Sequence, residues 1–431
     1  MLFLLELGAA LTHTDCKLRN RTMPLDIEVR REVLFAPKEH VTHWALNPTY
    51  VSRRGEGMIM TVMETDGMGL GANRYMEWKT TLQRFRSTDG GVTWRQAGER
   101  LLNWITAQRL KLREGYDGAR AYWFEAGSGH LISFFSKPEF SADFQTTQSR
   151  FYYEFSGDGG VTWASPTRII HCGDGCNEEH WMPDINVAKQ TAGFDQPHPI
   201  TLDDGTLLFG FTAKTPRYVT RFFRGRWTND RGMVWEASTG ITVPVSESST
   251  GPCEPDLLSL GGQRVFTTMR TQGIPGKKVP TTRQCALSTD GGRTWSQPEP
   301  LKYDDGTPVW VPAAISVFER DASSGRVFWF ANIQPGPVYG QIPRYPLTMA
   351  EFDTKRLCIL KDSVTVIQDL PPDAPKAGDP KKGELGRRYS NFGHYVDRQT
   401  GEIVLLVAEE PRVTWDDYWS DCIRFRIRLK H

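Results

Sequence analysis

One eight-residue phrase recurs along the chain and constrains its fold more than any other feature. Intact copies with the pattern Ser-x-Asp-Gly-Gly-x-Thr-Trp occupy residues 87–94, 156–163 and 288–295, and a degenerate copy occupies residues 228–235. The copies therefore start 60 to 72 residues apart. Repetition at such a period indicates a fold assembled from repeated units that are stacked or arranged radially.

The physical content of the phrase is a tight turn. Glycine adopts positive φ without steric cost, and the Asp carboxylate accepts hydrogen bonds from backbone N–H groups of its own turn. Strand-like segments at residues 78–86 and 151–155 precede the first two copies. Each copy is therefore predicted to form the tip of a β-hairpin, and its tryptophan is predicted to bury a large apolar surface against its own unit.

The phrase is identified as the Asp-box, and it resembles the repeat of sialidases, which are six-bladed β-propellers. The resemblance covers most of residues 30–429 and implies an all-β fold of six four-stranded antiparallel blades. Six blades of roughly 60–70 residues fill the 431-residue length. We therefore expect an N-terminal extension over residues 1–29 and one propeller domain over residues 30–431. The box indicates a fold and not a function.

Composition excludes several functional classes. The chain has 52 basic and 51 acidic residues and a net charge of +1, which argues against a nucleic-acid partner. Seven scattered cysteines predict no disulfide framework. The group at residues 171, 172, 176 and 180 matches no common zinc module, so we expect neither a metal nor another cofactor. The oligomeric state stays open.

The first ten residues are apolar apart from Glu6. This stretch is too short to span a membrane, and it lacks the basic start of a signal peptide. Export stays undecided, and the sequence slightly favours a soluble cytoplasmic protein over a secreted one.

Three segments outside the boxes resemble the sialidase pattern in the family's order. In the first, Glu254 opens one strand and Arg270 closes the next, and Gly261-Gly262 between them predicts that both lie at one end of a blade. The second contains Arg344, and the third contains Tyr389 followed by Ser390. The resemblance implies that Tyr389 is a nucleophile, that Glu254 takes its proton, and that the two arginines bind a substrate carboxylate.

The chemistry explains these residue types. A sialoside carries a carboxylate on its anomeric carbon, which repels an Asp or Glu nucleophile, whereas a tyrosine is neutral until it attacks. The planar guanidinium of arginine binds a carboxylate with two parallel hydrogen bonds.

Two positions depart from the family pattern. Asn47 stands where the family has its first carboxylate-binding arginine, so it is a substrate-binding candidate without charge. No Asp lies near the middle of the loop where the family has its acid/base residue, and Asp66 and Glu77 are the available carboxylates.

These residues together predict a glycoside hydrolase that removes a terminal acidic sugar, such as sialic acid or a related 2-keto sugar, from a glycan. Two alternatives stay open. The chain is a glycan-binding propeller without turnover, or it is an Asp-box enzyme of other chemistry, such as a polysaccharide lyase or a neutral exo-glycosidase.

Overall fold

The structure, a computed structural model, describes most of the chain. The described residues are 24–36, 41–66, 79–145, 147–183, 191–193, 198–214, 217–228, 232–374, 376, 386–410 and 420–430. They form six sheets of four or five strands each, which are the six blades of a propeller. The predicted all-β propeller is confirmed.

Blades 1 to 3 follow one another along the chain. Blade 1 consists of the strands β2 (Val41–Tyr50), β3 (Met58–Asp66), β4 (Lys79–Ser87), β5 (Arg95–Asn103) and β6 (Tyr116–Asp117). Blade 2 consists of β7 (Arg120–Phe124), β8 (Leu131–Phe140), β9 (Thr147–Ser156) and β10 (Thr167–Arg168). Blade 3 consists of β11 (Thr191–Gly193), β12 (Ile200–Thr201), β13 (Leu207–Lys214), β14 (Tyr218–Thr228) and β15 (Gly232–Ala237).

Blades 4 to 6 complete the ring. Blade 4 consists of β16 (Cys253–Ser259), β17 (Val265–Arg270), β18 (Arg283–Ser288) and β19 (Glu299–Pro300). Blade 5 consists of β20 (Val317–Arg320), β21 (Val327–Ala331), β22 (Leu347–Asp353), β23 (Cys358–Ile359) and β24 (Thr365–Gln368). Blade 6 consists of β25 (Arg388–Val396), β26 (Ile403–Glu410), β27 (Asp421–Leu429) and the N-terminal strand β1 (Ile27–Phe35).

The ring is closed by the pairing of β1 with β27, an antiparallel ladder that runs from Ile27 opposite Leu429 to Phe35 opposite Cys422. The carboxylate of Glu402, which is almost fully buried, strengthens this closure because it accepts from Arg30 on β1 and from Arg426 on β27. The strand β1, which begins at Ile27 within the predicted extension of residues 1–29, is therefore the outermost strand of the last blade.

Helix is minor in the described residues. The short helix α1 (Trp104–Arg109) follows β5, and two single-turn 3-10 helices lie at Pro275–Lys277 and Lys361–Ser363. None of the helices in this part of the chain is long and apolar enough to cross a membrane.

Apolar clusters between neighbouring blades form the core. One cluster joins blades 2 and 3 through stacked aromatic rings such as Phe134 on Phe209, whose centroids are 5.1 Å apart. Another joins blades 5 and 6 and includes Phe330, Tyr389 and Phe425. Burial of these side chains between sheets is the main favourable term in the folding free energy.

The boxes form hairpin tips as predicted. In the first copy the carboxylate of Asp89 accepts from the backbone N–H and the hydroxyl of Thr93, at 2.9 and 2.6 Å. The indole N–H of Trp94 donates to the carbonyl of Gly91 at 2.9 Å. The equivalent carboxylate hydrogen bonds recur around Asp158 and Asp290. The indole hydrogen bond recurs in the second copy, at Trp163, whereas the N–H of Trp295 in the third has no partner among the described residues. The box carboxylates are therefore turn-building groups.

Each box also packs against the preceding blade. The carbonyl of Gly91 accepts from Arg424 of blade 6 at 2.7 Å, and the carbonyl of Gly291 in blade 4 accepts from Arg224 of blade 3 at 2.8 Å. In the degenerate copy the N–H of Met233 donates to the hydroxyl of Tyr153 in blade 2 at 3.1 Å. The repeat therefore fastens blades to one another as well as turning the chain.

The propeller has two different ends. We call the end that carries the boxes, between the third and fourth strands of a blade, the lower end. The opposite end, where the first strands begin, is the upper end. The first strands of neighbouring blades contact each other around the central axis. Because strand β17 ends where β16 begins, Arg270 lies opposite Cys253 at the upper end.

Candidate active site

Glu254 and Arg270 meet at the upper end of blade 4, as the sequence predicts. A carboxylate oxygen of Glu254 and a guanidinium nitrogen of Arg270 form an ion pair. Both side chains are partly open, with 18% and 17% of their surface exposed. The pair therefore presents a charged group to the open end of the blade.

The backbone at Glu254 is held in an unusual conformation. Its φ angle is +49°, in the left-handed region that residues with a side chain rarely adopt, and it lies in a β-bulge of β16. Its backbone N–H donates to Thr212 of blade 3 at 3.2 Å. Residues in this region persist where the surroundings over-determine them, and such positions cluster at functional sites.

Arg283 is a site residue that sequence reasoning missed. It lies directly across from Arg270 in the β17–β18 ladder, and its side chain is fully buried. One guanidinium nitrogen donates to the carbonyl of Ala314 in blade 5, and the Nε and Nη1 groups have no hydrogen-bond partner among the described residues. Burial lowers the pKa of Arg283 to about 10; the charge of Glu254 opposes this, and that of Arg270 adds to it.

Arg344 is buried in the segment before β22 and bridges blades 5 and 6. It donates to the hydroxyl of Ser390 at 3.0 Å and to the carbonyl of Ala313 at 3.3 Å. Since Arg283 binds the next carbonyl, that of Ala314, the two guanidinium groups lie on consecutive peptide units. This adjacency was not readable from the sequence, because Arg283 and Arg344 belong to different blades.

Tyr389 pairs with a different carboxylate from the one expected. Its hydroxyl donates to Glu409 Oε1 at 3.0 Å, whereas the sequence paired it with Glu254. The reason is register: Tyr389 lies directly opposite Glu409 in the β25–β26 ladder, and Glu254 belongs to blade 4, with blade 5 between. Sequence reasoning missed Glu409, because a bulge after Ser390 hides the register of the two strands.

The surroundings of Tyr389 keep it protonated. The ring has no accessible surface and packs in the cluster between blades 5 and 6. Burial and the negative charge of Glu409 raise the pKa of Tyr389. Glu409 also pairs with Arg31 and with Arg387, the latter at 3.0 Å. The hydroxyl therefore lies beside a carboxylate that two cations already neutralise.

The remaining predicted residues fall elsewhere. Asn47 is buried in a bulge of β2, and its side-chain nitrogen donates to the carbonyl of Arg120 in blade 2 at 3.0 Å. In the structure the Asn47 side chain therefore joins blades 1 and 2, and this donor is not directed to the upper end. Asp66 ends β3 at the upper end, opposite Val41 and Lys79. Glu77 lies outside the described residues.

Neither a metal-binding group in the described part of the chain nor a cleft between blades 4 and 5 involves these residues. Across the described ranges, no group of three or more His, Cys, Asp or Glu side chains is placed to hold a metal ion. In the Cys/His group that the sequence offers at residues 171–180, the Nδ1 of His171 accepts a hydrogen bond from the N–H of Ala237 at 3.0 Å. A cleft of about 520 Å³ lies between blades 4 and 5 and is lined in part by Tyr303, Arg356 and Cys358.

The family model described as BNR repeat-like domain matches residues 102–361, more than half of the chain. The chain belongs to the BNR repeat-like domain family. A search of curated proteins gives no match.

Solved structures agree with this assignment. A protein of unknown function from Dyadobacter fermentans superposes with a TM-score of 0.58 at 14% identity, covering 93% of this chain and 99% of that one. The NanB sialidase from Streptococcus pneumoniae gives 0.55 at 12% identity, covering 93% and 70%. The intramolecular trans-sialidase from Ruminococcus gnavus gives 0.52 at 12% identity, covering 90% and 94%. This BNR chain therefore has a sialidase-like propeller fold.

Proposed function

We propose that this protein is a glycosidase that removes a terminal acidic sugar, such as sialic acid or a related 2-keto sugar, at the upper end of blades 4 to 6. The match to the BNR repeat-like family and the resemblance to sialidase folds support a glycoside-hydrolase-like propeller.

The observation that carries the proposal is the convergence of three arginines at the upper end. Arg270, which pairs with Glu254, lies across from Arg283 in blade 4. Arg283 and Arg344 donate to consecutive carbonyls of blade 5. Two arginines directly opposite each other in neighbouring strands repel. A bound carboxylate would relieve this repulsion, because it brings a negative charge into a partly desolvated site.

The proposed chemistry places the nucleophile on Tyr389. Its oxygen attacks the anomeric carbon, the bond to the leaving oxygen breaks, and the phenolic proton passes to a carboxylate. Glu409 is the carboxylate within hydrogen-bond reach, so we assign proton acceptance to it, and Glu254 orients Arg270. Since the ring of Tyr389 is enclosed, the reaction requires that ligand entry uncovers it. Asp66 and Glu77 stay the candidates for the acid that protonates the leaving group.

The test is hydrolysis of an aryl sialoside or a related aryl 2-keto-sugar glycoside, beside an aryl galactoside as a neutral comparison. We expect turnover of the acidic substrate alone and a loss of at least about 10³-fold in Tyr389→Phe. Tyr153→Phe is the matched control, because it removes a hydroxyl that is hydrogen-bonded at the lower end. Full activity in Tyr389→Phe would sink the nucleophile assignment.

A second candidate is glycan binding without turnover. The enclosed ring of Tyr389 and the use of Asn47 between blades favour it, because both weaken the match to a complete catalytic set. Under this candidate an acidic glycan binds and is recovered intact, and binding persists in Tyr389→Phe. An unsaturated product that absorbs in the near ultraviolet would instead point to a lyase.

A further inference from the structure

Four ionisable side chains from four consecutive blades meet at the central axis. His198 of blade 3 and His394 of blade 6 are joined by a hydrogen bond of 2.9 Å between Nδ1 and Nε2. The other ring nitrogen of His394 lies 2.7 Å from Glu319 of blade 5, and Nδ1 of His198 lies 3.6 Å from Asp256 of blade 4. We call this carboxylate–imidazole–imidazole–carboxylate chain the axial chain. No site residue discussed above belongs to it.

The axial chain tolerates only some protonation states. A hydrogen bond between two ring nitrogens needs one N–H and one lone pair. His394 can hold two protons, because one N–H donates to Glu319 while the other donates to His198. If His198 also takes a proton at Nδ1, two N–H groups face each other and the bond between the rings breaks. The axial chain therefore joins blades 3 and 6 only while at least one imidazole is neutral.

The axial chain is tied to the strained backbone at Glu254. Asp256 lies two residues after Glu254, beyond the same bulge. One oxygen of Asp256 accepts from the backbone N–H of Phe318 in blade 5 at 2.6 Å, and the other faces His198. The ring of Pro255, between them, packs so closely on Gly210 that a methyl group there would lie 2.5 Å from it. Asp256 therefore anchors the bulge that sets the left-handed conformation of Glu254.

We infer that the axial chain is a proton-dependent clasp whose members are positioning residues for Glu254, so that protonation of both imidazoles releases the β16 bulge and lowers the activity of the upper end. This inference rests on the proposed function for its activity readout, but its stability readout does not. The titratable groups that face the two imidazoles are Asp256 from β16 and Glu319 from β20.

The pKa values of the two histidines are shifted in opposite directions from the ordinary value of about 6.5. Burial and the charge of His394 lower the pKa of His198. Burial opposes protonation of His394 as well, but the hydrogen bond and charge of Glu319 outweigh it and raise the pKa of His394. His394 thus contributes stability that is present below pH 6.5 and lost as pH rises through its raised pKa. His198 contributes stability that is present above pH 6.5 and lost as pH falls.

The experiment measures the thermal midpoint of the full chain from pH 4.5 to 9 for the wild type, His198→Asn and His394→Asn. We expect a maximum near neutral pH in the wild type. His198→Asn should flatten the acid side, and His394→Asn the alkaline side. His130→Asn is the matched control, because His130 stacks on Trp227 away from the axial chain and should leave the profile unchanged.

Activity toward the acidic aryl glycoside is then followed over the same pH range. We expect His198→Asn to lower kcat more than fivefold with KM nearly constant, and to remove the acid limb that the wild type shows. Identical pH profiles in all variants would overturn the inference. Stabilisation of the wild type, but not of the histidine variants, by added Zn²⁺ would also overturn it, because the cluster would then be a metal site. If the wild type shows no turnover, the proposed function is wrong. The pH profiles of the thermal midpoint would still test whether the axial chain is a proton-dependent clasp.

Discussion

The lower and upper ends of the propeller are held by different kinds of contact. At the lower end each box closes on itself, since Asp89 and Thr93 are four residues apart. At the upper end the contacts are distant in sequence: Glu254 and Arg270 are 16 residues apart, and Arg344 and Ser390 are 46 apart. The same short-range hydrogen bonds recur in each intact box at the lower end, whereas the side-chain contacts at the upper end differ from one blade to the next.

This difference separates stability from recognition. A local, repeated turn contributes to folding at each copy, so loss of one copy weakens the scaffold without changing the surface that a ligand meets. The upper end instead contains buried charge, which is costly: two arginines lie across from each other, and two donors of Arg283 have no partner among the described residues. Variants at the lower end should therefore change the free energy of unfolding, and variants at the upper end should change ligand affinity or turnover.

Among the variants that compare the two ends, the largest expected effect is at Glu254. Glu254→Gln removes the charge that pairs with Arg270, and breaking a partly buried ion pair costs about 2–5 kcal/mol. We expect kcat/KM for the acidic aryl glycoside to fall between about 10²- and 10³-fold. Glu125→Gln is the matched control, because that carboxylate accepts from the N–H of Gly127 in a turn at the lower end. Equal losses in both variants would contradict a special role for the upper end.

The next effect concerns the glycines of the first box. A methyl group on Gly91 would lie 2.5 Å from the hydroxyl of Tyr395, whereas one on Gly90 would meet nothing within 4 Å. Both residues have positive φ. We expect Gly91→Ala to lower the free energy of unfolding by about 2–3 kcal/mol and Gly90→Ala by about 1 kcal/mol, measured by urea denaturation. Equal losses would show that backbone conformation alone matters and that the contact with blade 6 does not.

A smaller effect distinguishes two buried arginines. Arg283→Met removes a cation with unpaired donors, so we expect the thermal midpoint to stay level or rise while affinity for an acidic sugar falls about 10-fold. Arg424 at the lower end is paired with Glu32 and with the carbonyl of Gly91. Arg424→Met should therefore lower the midpoint and leave affinity unchanged. The reverse outcome, in calorimetry and ligand titration, would contradict the division between the ends.

The smallest effect is a pH dependence at the lower end. Burial raises the pKa of Asp89, but hydrogen bonds from Thr93 and Ser87 outweigh it and lower the pKa to about 2. The carboxylate therefore contributes stability that is present above pH 4 and lost as pH falls toward about 2. Asp89→Asn should lower the midpoint slightly at pH 7 and lose less on acidification to pH 2.5. Parallel midpoint curves for variant and wild type would count against this.

The contrast between the ends also explains what the sequence predicts well. The box hydrogen bonds lie within four residues, so the motif itself contains the structure, and the propeller and the meeting of Glu254 with Arg270 follow from strand order. The partner of Tyr389 depends instead on the register of β25 against β26. A bulge in that ladder, after Ser390, makes the register hard to count from the sequence. Arg283 was missed because its role depends on burial and on a carbonyl in another blade.

The pairing of β1 with β27 has a consequence for biosynthesis. Residues 27–35 are translated long before their partner strand at residues 421–429. Until then β1 has an unpaired edge, and the carboxylate of Glu402 has no cation from the first strand. The nascent chain must therefore keep an open edge strand throughout translation, which is a hazard for aggregation. A circular permutant that begins at residue 386, before β25, would test this, because β25, β26, β27 and β1 would then be translated in succession.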